Sequence, residues 1–315
     1  MKNKIIMALL ISSILVFTGC TEQESSTSKT NPFVGGDTGL TIQFEPDSPP
    51  AEVYDGGSYP FGIVVRIKNV GETNVLPEDA TIKITGIDPN EFNVNTADLI
   101  KHPEDELIRT KKDAEGNILE GTTTFVSFDD LNHVDPLTAS HLYPIKAEVC
   151  YEYATQAISD ICVRENLLDT KKEGVCMINE DKQVFSSAAP VKVEEFKEIP
   201  RASDKVAFQF KVKHKGTGDI FKRDSNCAQN YTIENKVWVE VTTGIEGLSC
   251  SGLTDGTAPN NGYVTVFGNP GERIVACTQA IANPADYEKP VNIRLEYDYL
   301  QDITTTLLVK HEPLE

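Results

Sequence analysis

Residues 144–163 have the sequence PIKAEVCYEYATQAISDICV, in which apolar and polar side chains alternate. The same pattern recurs without a gap 146 residues later, in the sequence PVNIRLEYDYLQDITTTLLV at residues 290–309. Strict alternation is typical of a β-strand with one buried and one solvated face. A polar segment interrupts the pattern in each stretch before it resumes. We therefore expect each stretch to form a β-hairpin.

A second pair of stretches matches at nearly the same spacing. Residues 63–71 are IVVRIKNVG and residues 208–216 are FQFKVKHKG, at an offset of 145. Two matches at one spacing predict a duplicated domain, with units at 38–187 and 188–315. The chain has almost no helical periodicity and many short alternating runs between turn signals. This pattern predicts an all-β protein of two tandem immunoglobulin-like β-sandwiches.

The strand and turn at Ile63–Gly71 resemble the start of CARDB-type and related immunoglobulin-like modules of archaeal and bacterial surface proteins. The order of Phe44–Pro50, Val53–Gly56 and Pro60-Phe61 is similar to two-domain exported proteins of small-genome archaea. The resemblance covers most of the chain after its signal, as a pattern of strands and turns. It implies sandwich domains and a location outside the cytoplasm. It implies no activity, because a fold does not carry a function.

The first twenty residues are typical of a lipoprotein signal peptide. Two lysines precede the apolar run Ile5–Phe17, which is too short to span a membrane as a helix. The segment ends at Cys20, which predicts cleavage before this residue and lipid on its thiol. Phe17 stands where a lipobox carries Leu, Val or Ile, so cleavage near Gly19 without lipid is the alternative. We expect the chain on the outer face of the cytoplasmic membrane, at the cell surface.

Residues 21–37 follow the signal and are expected to form a disordered tether. Ser, Thr, Glu and Gln make up all of residues 21–28. Such a composition buries too little apolar surface to fold, and it is typical of a flexible linker. The lipid and this tether together would connect the first domain to the membrane.

The charge balance restricts the classes of partner. The chain has 48 acidic and 29 basic residues, a formal net charge of −19. Binding to nucleic acid, or directly to an anionic membrane, needs basic patches, so neither is expected. The expected partners are the membrane, through the N-terminal lipid, and a protein or glycan at the cell surface.

Once Cys20 is set aside for lipid, six of the seven cysteines remain. An even number of cysteines in an exported protein predicts disulfides. In the first domain, a Cys150–Cys162 bond across the expected hairpin and a Cys162–Cys176 bond are alternatives. In the second domain, Cys250–Cys277 is the preferred pair because each cysteine ends a β-like run. Three cysteines in each domain also allow one bond between the domains. The six candidates are Cys150, Cys162, Cys176, Cys227, Cys250 and Cys277.

Candidate chemistry is sparse. His133, Asp135 and His141 lie in one loop and are candidate metal ligands, but their spacing matches no known ligand rule. We therefore expect no metal or other cofactor. Asn230 begins an N-x-T sequon and is the candidate glycosylation site. The sequence contains no nucleophile elbow, P-loop or H-E-x-x-H motif, so no catalytic residue is predicted.

These observations favour a non-catalytic, lipid-anchored surface protein that acts in adhesion, partner binding or envelope structure. Binding would use loops on the rigid sandwiches. The alternative is a metal-dependent hydrolase on a β-sandwich with its site near His133, Asp135 and His141. A further alternative is an accessory subunit of a surface enzyme or secretion complex, because edge strands can pair with a neighbour.

Overall fold

A computed structural model describes residues 29–168, 174–268 and 271–311. The signal peptide 1–20, the lipidation candidate Cys20 and residues 21–28 of the tether lie outside the described residues. The described residues from Asn31 onwards form one compact unit. None of the described helices has the length and apolarity needed to cross a membrane.

The described chain is all-β, which confirms this part of the fold prediction. Its helical turns are two short 3-10 helices, Pro77–Asp79 and Thr96–Leu99. The strands within the first repeat are β1 (Leu40–Phe44), β2 (Glu52–Tyr54), β3 (Phe61–Asn69), β4 (Ala80–Thr85), β5 (Ile100–Lys101), β6 (Lys111–Lys112), β7 (Ile118–Leu119), β8 (Thr123–Leu131), β9 (His141–Val163), β10 (Asp181–Lys182) and β11 (Phe185–Ser186). Those of the second are β12 (Val191–Ala202), β13 (Lys205–His214), β14 (Asp219–Phe221), β15 (Lys236–Thr242), β16 (Leu248–Ser251), β17 (Asn261–Thr265), β18 (Phe267–Gly268), β19 (Gly271–Ala280) and β20 (Tyr287–Lys310).

The strands form one large central sheet and two outer sheets, an arrangement consistent with β-sandwich packing. The central sheet has the order β17-β15-β20-β9-β4-β5, with β11 beside β9 and with β14 and β2 beside β20. One outer sheet has the order β1-β3-β8, and the other has the order β10-β12-β13-β19-β16 with β18 beside β19. The strands β6 and β7 form a separate two-stranded ribbon.

The two stretches that were predicted to be hairpins are single long strands. β9 has 23 residues and β20 has 24, and they pair antiparallel from Tyr287↔Val163 to Val309↔His141. The hairpin prediction is therefore wrong. The polar segment in each stretch lacks the Gly, Pro or Asn-Gly that a tight turn needs. Alternation instead continues through it, so that Thr155 and Ala157 stay on the buried face.

The pairing of β9 and β20 is symmetric about one pair of residues. The repeat offset of 146 relates Glu152 to Asp298, and these two residues are also register partners. Each long strand therefore packs against strands of the other repeat as well as its own. β9 contacts β12 of the second repeat, and β20 contacts β1 of the first. The boundary expected at 187/188 thus separates two halves that share one continuous sheet.

Buried tyrosines pack around this symmetric point. Tyr151 lies against Tyr299 with ring centroids 5.8 Å apart, and Tyr153 lies against Tyr297 at 6.5 Å. The hydroxyl of Tyr151 accepts the N–H of Leu40 at the start of β1. The hydroxyl of Tyr297 accepts the N–H of Val191 at the start of β12. The rings therefore fill the core while their hydroxyls tie the central sheet to both outer sheets.

The end of the expected tether is bound to the fold. Glu72 accepts the N–H of Val34 at 2.9 Å and that of Gly35 at 3.1 Å. The buried Lys192 donates to the carbonyl of Gly36 at 2.9 Å. Within the predicted tether, residues 34–36 are therefore held against the folded unit. Two side chains of the folded unit satisfy the backbone of this segment, which composition alone does not reveal.

Candidate functional site

A row of cavities lies on the outer face of the central sheet, where the even-numbered side chains of β9 and β20 point. Three cavities of about 420, 240 and 460 Å³ follow one another along this strand pair. We call them together the outer groove. From the two long strands it is lined by Glu148, Cys150, Glu152, Ala154, Gln156, Ile158, Asn292, Arg294, Glu296 and Leu300.

Glu152 lies in the middle cavity, near the symmetric centre of the two repeats. Asp79 and Asp224 line the same cavity. Burial, and to a smaller extent the charges of Asp79, Asp298, Asp224 and Glu296 in that order, raise the pKa of Glu152 to about 7. Within the described residues, no hydrogen bond or ion pair involves the Glu152 carboxyl group. The cavity therefore concentrates negative charge that the fold does not neutralise at this position.

Glu296 is neutralised in the same cavity. Its carboxylate accepts hydrogen bonds from Arg223 and, at 2.6 Å, from Arg294 Nε. Burial alone would raise the pKa of Glu296, but the two arginines outweigh it and lower the pKa. Arg223 also lies over the ring of Trp238, 4.1 Å from its centroid. Both arginines are thus engaged with Glu296, and Arg223 Nε also lies 3.9 Å from an Asp224 carboxylate oxygen. Glu152 has no ion pair among the described residues.

Asp298, the register partner of Glu152, has a structural role. It is buried, and it accepts the N–H groups of Asp224 at 3.1 Å and Ser225 at 2.8 Å, together with the Ser225 hydroxyl. Burial raises its pKa, and these hydrogen bonds oppose the rise. The loop that follows β14 is therefore fixed above the sheet. This loop carries Cys227, which is bonded to Cys150.

The groove becomes more apolar at its far end. Its third cavity, of about 460 Å³, is lined by Ile158 together with Pro32 and Phe33 of the bound N-terminal segment. Polar side chains from β15 and β20 complete the lining, among them Thr242 and Asn292. The segment that precedes the first strand thus forms part of the groove wall.

All six expected disulfide cysteines are paired. Cys250 is bonded to Cys277, the preferred pair, and the two are direct register partners on β16 and β19. Cys162 is bonded to Cys176, one of the two alternatives for the first repeat. A Cys150–Cys162 bond is not formed, because both residues lie on the one uninterrupted strand β9. Cys150 is instead bonded to Cys227, so one disulfide joins the two repeats.

The three candidate metal ligands do not converge. His133 is 1% exposed, and its Nε2 lies 3.0 Å from the Tyr143 hydroxyl. His141 and Asp135 are exposed, and His141 packs edge-on against Tyr143 at 4.8 Å between ring centroids. Among the described residues, the donor atoms of these three side chains do not come together within 4.8 Å as a group.

One group of three potential ligands does come together, at Cys150, Cys227 and Asp298. Its two sulfur atoms form a disulfide, and Asp298 accepts backbone N–H groups. This donor set therefore matches a structural cross-link and not a metal site, because thiolates and not disulfides bind metal ions.

The glycosylation candidate Asn230 lies on the loop between β14 and β15 and is exposed. Its side-chain oxygen accepts the N–H and the hydroxyl of Thr232, both at 2.9 Å. Tyr231 between them is 88% exposed. The sequon is therefore on the surface of the molecule.

Glu152 and the outer groove were missed from the sequence. In so acidic a chain, carboxylates carry little information by themselves. The repeat alignment does place Glu152 and Asp298 at equivalent positions, each between two tyrosines. That alignment does not reveal that these positions face each other across one sheet.

Comparisons with known proteins give no family assignment. No protein-family model matches the chain, and no curated protein matches it with significance.

Proposed function

We propose that this chain is a non-catalytic, lipid-anchored protein of the cell surface that holds a rigid binding head outside the cytoplasmic membrane. The head consists of two immunoglobulin-like sandwiches, one per repeat, joined through β9 and β20. Lipid on Cys20 and the tether that follows it attach the head to the membrane. Its action is the binding of a partner protein.

The observation that carries the proposal is the way the two repeats are joined. β9 and β20 pair along their whole length, and the Cys150–Cys227 disulfide joins the repeats a second time. Two independent domains on a flexible linker would need neither the strand pairing nor the disulfide. A fused pair keeps a fixed surface across both repeats, and a preorganised surface binds with a smaller entropic cost.

The cysteines support the location. All six cysteines after the signal are paired in three disulfides. Disulfides persist in oxidising compartments and are rare in the cytosol. The resemblance to CARDB-type surface modules agrees with this location, and so does the signal that ends at Cys20. These observations point in one direction and rest on different residues.

The anchor is tested in cells by Cys20→Ser. We expect the unchanged protein in the membrane fraction and the Cys20→Ser protein in the medium or the soluble extracytoplasmic fraction, because a hydroxyl cannot carry the thioether-linked lipid. Ser26→Ala, a small change in the same segment, is the matched control and should stay with the membrane. A Cys20→Ser protein that still sediments with membranes would contradict the anchor.

The binding role is tested by crosslinking intact cells with a reagent that does not cross membranes, followed by mass spectrometry. We expect adducts to a defined envelope protein. Absence of any adduct above the level seen with an unrelated lipoprotein would count against partner binding. Substrate turnover by the purified protein would overturn the non-catalytic role.

A further inference from the structure

We propose that the outer groove binds an extended segment of a partner protein that carries a Lys or Arg about six residues from an aliphatic or aromatic side chain. The basic side chain enters the middle cavity beside Glu152, and the apolar one enters the cavity beside Ile158 and Phe33. This inference rests on the proposed binding function and specifies its site and the chemistry of the partner.

The charge at the middle cavity selects a cation. Glu152, Asp79, Asp224 and Glu296 line it against two arginines. Both arginines are bonded to Glu296, and Arg223 is also paired with Asp224. No described residue donates a hydrogen bond to the Glu152 carboxyl group. A lysine or arginine from a partner would supply that donor and offset the repulsion among the carboxylates. An acidic partner would add to the repulsion.

The apolar cavity selects a hydrophobic side chain. The side chains of Pro32, Phe33 and Ile158 contribute to its lining, and about 460 Å³ is enough for an aromatic ring. The cavity opens on the same face of the sheet as the middle one, and Arg294 lines both. A single segment can therefore reach both cavities without leaving the surface.

The strand geometry sets the spacing. Glu152 and Ile158 are six residues apart on β9 and face the same side. At a rise of about 3.3 Å per residue this separation is about 20 Å. An extended partner segment that lies along β9 has the same rise, so its two anchoring side chains should also be about six residues apart. Gln156, which is exposed, lies between the two anchor points.

The probe is a displayed library of random peptides of about twelve residues, selected against the mature protein made without its lipid by Cys20→Ser. We expect enrichment of sequences in which Lys or Arg lies about five to seven positions from Trp, Phe, Tyr, Leu or Ile. A selected set without basic residues, a set with acidic ones, or no enrichment over the unselected library would overturn the proposal.

Charge reversal locates the site. Glu152→Lys should weaken binding of the selected peptides by about tenfold or more, because it places a cation where the peptide's cation lies. Glu115→Lys makes the same change in net charge at an exposed turn and should alter affinity by less than about twofold. Equal loss in both variants would show general electrostatic attraction and refute the site.

Glu152→Gln guards against misfolding of the lysine variant, since it keeps the shape of the side chain and removes only its charge. It should weaken binding severalfold with an unchanged melting temperature or a higher one. If calcium chloride alone binds the protein and Glu152→Gln abolishes this binding while peptides fail, the occupant is a cation and the proposal fails. Failure of the peptide site would leave the crosslinking test of partner binding and the Cys20→Ser test of the anchor unaffected, so the proposed function would survive.

The pH dependence is a second readout. Glu152 faces Asp79, Asp224, Glu296 and Asp298, with the two arginines on the Glu296 side. Peptide affinity should rise between about pH 6 and pH 8 as Glu152 loses its proton, and this rise should be absent in Glu152→Gln. An identical rise in both proteins would place the responsible group elsewhere and contradict the role of Glu152.

Discussion

Glu198 on β12 has no exposed surface, and its two oxygens accept the N–H of Cys162 at 3.0 and 2.9 Å. Lys182 Nζ lies 3.5 Å from Glu198 Oε2. Burial raises the pKa of Glu198 to about 7, although the hydrogen bond and the lysine oppose the rise. The folded state therefore holds this proton more tightly than the unfolded chain does. Stability contributed in this way is present below the ordinary glutamate pKa and is lost as the pH rises through 7.

The melting temperature and the free energy of unfolding should therefore fall between about pH 4.5 and pH 8, by at most about 3 kcal/mol for this one group. Glu198→Gln replaces the titrating carboxyl group with an amide and should flatten the dependence of stability on pH in this range. Glu195→Gln, on the same strand but exposed and ion-paired with Lys211, should retain the decline. Calorimetry across this pH range on the disulfide-bonded protein measures it, and equal slopes in the two variants would contradict the assignment.

The long strand β9 is the element on which both halves depend. Its odd-numbered side chains are buried from Ile145 to Val163. The whole strand lies within the first repeat by sequence, but Thr155 and Cys162 in its later part form hydrogen bonds with Val191 and Glu198 of β12 in the second repeat. A strand has a side-chain period of two, so a slip by one residue would turn the later part inside out.

An alanine inserted after Gln156 should therefore destabilise the protein by more than about 3 kcal/mol, because Ile161 and Val163 would turn outward. The same insertion after Glu115, in the turn between β6 and β7, should cost less than about 1 kcal/mol. Urea unfolding of both variants tests this. Comparable small effects from the two insertions would mean that β9 tolerates a change of register.

At the scale of the whole molecule, the two repeats share a sheet and a core. Buried residues of both repeats belong to a single hydrophobic cluster. β20 belongs to the second repeat by sequence, but its end pairs with β2 of the first repeat, and Leu307 and Val309 are buried there. Pairing of this length couples the halves energetically, so their unfolding should not separate.

Residues 188–315 expressed alone should fail to unfold cooperatively, because they lack β9, the main partner of β20. The chain from residue 29 to 315 should show one transition by circular dichroism and by tryptophan fluorescence. Two resolved transitions in that chain, or a cooperative transition in the isolated second half, would show that the repeats are independent domains.

Local chemistry was sufficient to predict that the fold is all-β. Alternation at residues 144–163 and 290–309 predicted strands, and the even number of cysteines predicted disulfides that the structure contains. The sequence predicted Cys250–Cys277 and gave Cys162–Cys176 as one alternative, because the cysteines of each pair are close in sequence. The outer groove was not predicted, since its lining comes from six separate parts of the chain.

The amino-acid pattern alone specified which side chains of each long strand are buried, since a period of two is a property of the strand itself. Tertiary contacts decided which strand lies beside it. β9 pairs with β20 and not with itself, so Glu152 meets Asp298, Cys150 meets Cys227, and an unpaired carboxylate comes to lie in a groove. Pairing between segments so far apart depends on packing across the whole core, and no local pattern of residues encodes it.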